Sequence, residues 1–406
     1  MSRKLVLSAV RVASNGAFEG SARRIAGQQH RSFTSTHQRN AQIVHFNPTS
    51  SQALDDLLSE IRYKIILPSY LPIDQRKKIY ALKWERKLQS DPIVMELDGE
   101  IIKFRHENLM TAIPNTQKSL LAAVSQFETA ADFENLKPLL EGIVHAGRNI
   151  KPHVHSKIIR LLGQKGQIYH IIDCARCVRR SGFKLDNSEK VNMTLHYVQM
   201  RAPEAGWERG VTSKAFRWAE MVVDMLHDDL HRPNTPTDGT SPVPGAIALA
   251  CDPFILAAPL HLGAVLVTQH EAGEDVLTKV RKFAQSVVAF WPEGKDTKEL
   301  YARTNGMEYL FEPNKFIRVA TPLLHGLETA AEVVEPQLAS QLRSRCKILE
   351  EELRAARNTS SPERIERAMI VYQHFYDEQG VRRPIVPVEL PEDSTSVDGG
   401  EENKNQ

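Results

Sequence analysis

Residues 147–186, GRNIKPHVHSKIIRLLGQKGQIYHIIDCARCVRRSGFKLD, decide the fold class. Two runs of helical apolar spacing meet at Lys165-Gly166-Gln167, and Gly147 and Gly182 bracket the stretch. Set these two glycines in register, an offset of 35 residues, and the segment before each matches. Phe133 falls on Ile168, Leu136 on Ile171, Leu139 on Cys174, Leu140 on Ala175 and Ile143 on Val178. Each pair is small or apolar. A helix pair of roughly 33–35 residues cannot bury its apolar face alone and does so by stacking on its neighbours. The expected fold is therefore mainly α, a solenoid of helix pairs.

The same periodicity extends in both directions. Helices are expected at 116–128, 132–146, 152–164, 167–181, 187–201 and 212–231, a first array over 116–231. A Pro/Gly-rich loop, 232–246, separates it from a second array over 247–385, with helices at 247–271, 273–291, 295–304, 315–356 (broken near Pro336) and 361–380. Residues 34–115 form an N-terminal extension. In it, 50–68 reads as a helix capped by Ser50 or Ser51 and stopped by Pro68, and 73–91 as a second helix with Tyr80, Trp84 and Leu88 on one side. Between 92 and 106 the period changes to that of a strand, and Asp98-Gly99 predicts a two-residue hairpin turn.

Hydrophobic residues make up 41% of the 406 and charged residues 25%, enough to build a core. The most apolar stretch, 245–267, is interrupted by Asp252, Pro253, Pro259 and His261, so it reads as a buried helical hairpin and not as a membrane span. Residues 1–33 carry six basic residues and one acid among serines and alanines, the composition of a mitochondrial transit peptide. That predicts a matrix protein cut near Phe33. Residues 386–406 are acidic and read as a disordered tail.

No phosphate loop, dinucleotide fingerprint, HExxH or nucleophile elbow occurs, so no enzyme and no cofactor are expected. Cys174 and Cys177 form a lone CxxC inside a helical pattern, read as two reduced helix cysteines. His227 and His231, four apart beside Asp228 and Asp229, have the spacing to grip a metal, but read as a polar helix end. The binding candidate is 62–87. Eight basic residues there face only Asp74 and Glu85, with Tyr63, Tyr70, Tyr80 and Trp84 interleaved. Clustered cations and stacking rings together serve sequence-tolerant RNA contacts. The candidate RNA-binding residues are Arg76, Lys77, Lys78, Lys83, Arg86 and Lys87. The competing reading is a solvated basic helix whose apolar stripe packs on the repeats.

The stretch 150–186 resembles a pentatricopeptide repeat. Lys165-Gly166-Gln167 matches the turn between the two helices, and Arg179, Arg180, Gly182, Phe183, Lys184 and Asp186 match the repeat end. The upstream copy matches at Gly147, Ile150, Lys151 and Pro152. The resemblance implies a right-handed α-solenoid and RNA binding in an organelle, one base per repeat. Lys157 falls where the family carries a small polar reading residue, its partner is Asp186, and the preceding partner position holds His153. These departures favour protein or shape-based RNA contacts over base reading. The whole is similar to fungal mitochondrial gene-expression proteins. The expected function is a peripheral, lineage-specific subunit of the mitochondrial ribosome, contacting rRNA and ribosomal proteins. The alternatives are a free stability or translation factor for a mitochondrial mRNA and an assembly factor for a respiratory complex.

Overall fold

The computed structural model describes residues 43–233, 247–301, 307–359 and 362–386. The expected transit peptide, most of the loop 232–246 and the tail beyond 386 lie outside the described residues.

Ser51 starts α1 (Gln52–Ile61) by accepting a hydrogen bond from the Leu54 amide at 3.3 Å. The helical path then runs on through a π turn (Arg62–Ile66) and a 3-10 turn (Leu67–Tyr70). Pro68 thus sits inside the run it was expected to end. At the start of a new turn, proline lacks only a donor that would have had no partner.

The helix expected over 73–91 is two helices, α2 (Ile73–Tyr80) and α3 (Glu85–Ser90), joined by extended Ala81 and a 3-10 turn at Leu82–Trp84. The reason is burial. Ile79 and Leu88 are 1% and 4% exposed. On one continuous helix at about 100° per residue they would point to opposite sides. Breaking the helix lets both enter the core. The Glu107 amide donates to the Ile79 carbonyl at 2.9 Å.

Strands β1 (Ile93–Leu97) and β2 (Glu100–Phe104) pair antiparallel with Val94 opposite Lys103. Asp98 and Gly99 both have positive φ, +49° and +80°, as the two-residue turn demands.

The first array comprises α4 (Thr116–Gln126), α5 (Ala130–Glu134), α6 (Leu136–His145), α7 (Pro152–Gln164), α8 (Ile168–Arg176), α9 (Val178–Ser181), α10 (Ser188–Glu204) and α11 (Arg209–Met225). Alternate helices touch. In one row α1 packs on α4, α4 on α7 and α7 on α10; in the other α6 packs on α8 and α9, and α8 on α11. All ten residues matched by the 35-residue offset are buried. Gly147 and Gly182 close their helices at φ +69° and +67°, a backbone state that costs side-chain-bearing residues more.

The N-terminal extension is tied to this array by polar staples. Asn47 and Asn135 exchange hydrogen bonds of 2.7 and 3.0 Å. Asp132, fully buried, accepts from the Ser50 amide and hydroxyl at 2.9 and 2.7 Å. Burial opposes its ionisation, but donation from Thr129, Glu128 and Ser50 outweighs it and holds the carboxyl well below the ordinary range.

The second array contains α12 (Pro253–His270), α13 (Glu274–Phe290), α14 (Thr297–Tyr301), α15 (Pro313–Val333), α16 (Pro336–Thr359) and α17 (Pro362–Phe375). The apolar stretch expected as a hairpin is the single helix α12. It is long and apolar enough to cross a membrane, but every residue from Pro253 to Leu266 is buried inside the protein. Helices α10, α11, α13 and α15 surround it, so it has no polar face to show. Asp252 caps it, accepting from the Phe254 amide at 2.9 Å and the Tyr301 hydroxyl at 2.6 Å. Helix α15 turns back into α16 at Pro336, as expected, and α17 packs on α15. Among the described residues the fold is predominantly α-helical with one small antiparallel hairpin.

Candidate nucleic-acid interface

The break after Tyr80 builds the surface. With Ile79 and Leu88 turned inward, Lys78, Lys83 and Lys87 converge on half-buried Trp84. Their Nζ atoms lie 5.2, 6.0 and 5.5 Å from its ring centroid. These are cation–π distances, and like charges gather there only because the ring and water share their load.

Of the six candidate residues, Lys77, Lys83, Arg86 and Lys87 are exposed, and Arg76 and Lys78 are half-buried. Among the described residues none of the six forms an ion pair. The ring of cations around Trp84 holds three of them. Arg76 lies instead beside Tyr80, whose hydroxyl pKa is pushed up by burial and drawn back by Arg148 and Arg76. Arg148 was missed in the sequence. It follows the positive-φ Gly147 just after α6, and only tertiary packing brings it to α2.

The apolar anchors differ from the expected Tyr80–Trp84–Leu88 stripe. Leu88 is buried as foreseen, but its companion is Ile79. Tyr80 and Trp84 are half-buried. The earlier cations of 62–87 serve the fold. Arg62 is buried, donating to the Val44 carbonyl at 2.8 Å and pairing with Glu100 at 2.5 Å, and Lys64 pairs with Glu60 at 2.7 Å. Tyr70 is buried and stacks on His145 with centroids 4.4 Å apart.

The residues that the pentatricopeptide resemblance would place at reading positions are divided. Lys157 and His153 are exposed on α7. Asp186 is ion-paired with Lys190, itself 2% exposed, which also donates to the Lys184 carbonyl at 3.1 Å. A carboxylate neutralising a buried lysine is committed to the fold, because breaking such a pair strands a charge in the interior.

The remaining sequence candidates have local roles. Cys174 is buried and its thiol pKa is pushed up by burial, while Cys177 is half-buried; both are free. His231 is buried, its Nδ1 accepting from the Leu185 amide at 3.0 Å. His227 is exposed.

A family model described as Mrp13, mitochondrial ribosomal protein mS27, matches residues 31–375. A relative named small ribosomal subunit protein mS27, from Neurospora crassa, is 33% identical over 351 residues, spanning 81% of this chain and 88% of the relative. The family match includes the cation ring and extends over nearly all of both helical arrays.

Proposed function

The chain belongs to the mitochondrial ribosomal protein mS27 family, and from that premise we propose how it serves the particle. It is a non-enzymatic mitochondrial ribosomal protein, a component of gene expression in the organelle. This selects the ribosomal reading over a free transcript factor or a respiratory assembly factor. The finer reading is a peripheral protein of the small subunit, as the name of the relative suggests. In it, residues 1–33 are a matrix-targeting presequence and the two helical arrays are a right-handed solenoid of the pentatricopeptide type. Alternate-helix stacking and the buried offset pairs support the solenoid.

RNA contact falls to residues 76–87. The observation that carries this is the convergence of Lys78, Lys83 and Lys87 on Trp84 without an acidic partner among the described residues. Such a surface offers charge to phosphates and a ring face to a base. The decisive experiment replaces Lys77, Lys78, Arg86 and Lys87 together by glutamine and measures co-sedimentation with the small subunit across a salt series. Every phosphate deprived of its cation flattens the logarithmic salt slope by roughly 0.7–0.9. A folded variant with unchanged slope reduces the segment to a solvated surface.

A further inference from the structure

Helices α7, α10, α15 and α17 line an open cavity of about 530 Å³ on the side of the first row of helices. That is within the range of sites for small organic groups, roughly 300–1,000 Å³. Arg160 on α7, Arg318 on α15 and Arg367 on α17 reach it from three directions, and among the described residues none of the three has an ion-pair partner. Lys315 also lines the cavity but is engaged by Glu189 at 3.0 Å and Glu312 at 3.1 Å. The other carboxyl there, Glu204, has its pKa raised by burial, with Arg201 opposing, which weakens it as a competing anion.

Two further features concern shape and hydrogen bonding. The Tyr197 ring lines the cavity with the Arg318 guanidinium 5.9 Å from its centroid, a plane already backed by a cation. His196 is 5% exposed, and its buried Nδ1 has no hydrogen-bond partner. Burial, with Arg318 adding to it, keeps this imidazole neutral with a pKa of about 3, while the Arg318 backbone accepts from the ring. Nδ1 is thus a buried polar atom left unpaired, which is costly.

We propose that this cavity receives one nucleotide of a ribosomal RNA strand, with the arginines on its phosphates and Tyr197 under its base. The inference rests on the reading of the protein as an rRNA-contacting subunit, but at a second place. An acidic peptide would satisfy the arginines alone; a nucleotide brings anion and plane together.

The test uses the full chain and a single-stranded RNA of about 12 nucleotides, within the size range of single-strand sites, carrying photoreactive 4-thiouridine. The double variant Arg160→Gln/Arg367→Gln changes two exposed side chains and should keep the wild-type melting temperature. Expected results are a crosslink on the α10 segment around Tyr197, an affinity loss of roughly tenfold or more and a salt slope smaller by about 1.4. Unchanged affinity and slope in the double variant overturn the proposal. So does displacement of the RNA by hexaglutamate as readily as by unlabelled RNA, and so does binding of free uridine monophosphate with none of the RNA. The residue 77–87 variant is measured in parallel. Loss there with an unaffected cavity variant leaves the Trp84 surface standing and removes this site; the reverse pattern retains this site and removes that surface.

Discussion

The imidazoles of His261 and His325 are hydrogen-bonded to each other at the heart of the second array, Nε2 to Nδ1 at 2.9 Å. The amide nitrogen of Gln199 donates to the other nitrogen of His261 at 3.1 Å, so His261 carries its proton on Nε2 and gives it to His325. The chain of bonds exists only while both rings are neutral. Burial holds them so: it lowers the His261 pKa to about 3, helped by Arg382, and puts His325 well below its usual value, helped by His261 and Arg382.

That relationship predicts acid sensitivity. His155 and His196 behave alike, with pKa values lowered by burial to about 4 and about 3. Below about pH 6.5 the unfolded chain takes up protons that these folded sites refuse. Stability is therefore complete above that pH and falls as the pH drops below it, for His155 until about pH 4 and for His196 and His261 until about pH 3, by on the order of 1 kcal/mol per pH unit for each ring. Urea unfolding at about pH 7.5 and about pH 5.5 measures it. Equal midpoints at the two values would mean that the four rings titrate normally.

Gly326→Ala should loosen the same junction. A Cβ there would stand 2.6 Å from the His261 Cβ and 3.1 Å from its Cα, which belongs to helix backbone and cannot swing aside. Overpacking of this kind costs about 1–3 kcal/mol. A melting temperature equal to wild type would show that α12 and α15 have more room than the structure gives them.

Leu140→Ala probes the stack. Leu140 is fully buried on α6, and truncation of such a leucine costs about 2–5 kcal/mol. Because α6 packs on α8 and α9, hydrogen-exchange protection should drop there as well as in α6. Loss confined to α6, or none, contradicts nearest-neighbour stacking.

Trp84→Leu separates packing from stacking. Leucine retains apolar bulk at this half-buried site and so should fold with the wild type. If a base stacks on Trp84, RNA affinity falls by about 1–3 kcal/mol. A variant that binds as tightly as wild type makes the ring a packing residue alone.

How much of this was legible beforehand depends on the range of the forces involved. The hairpin was, because Asp98-Gly99 encodes its own turn. The helical character of 116–231 was, because its apolar residues recur at helical spacing. The basic character of 76–87 was also plain. What failed was the continuity of 73–91: no local signal reveals that Ile79 and Leu88 both belong to the core.

The sequence by itself determined helix class, the hairpin and which segment carries the charge, since these follow from periodicity, turn chemistry and composition within a few tens of residues. Only the tertiary structure decided which cations remain available. It drew Arg62 to Glu100 and Asp186 to Lys190, set Lys78, Lys83 and Lys87 around Trp84, and brought Arg160, Arg318 and Arg367 to one cavity from helices far apart in the chain. Whether a charge is spent on a neighbour or left for a ligand depends on through-space distance, and distance between remote residues is settled by packing.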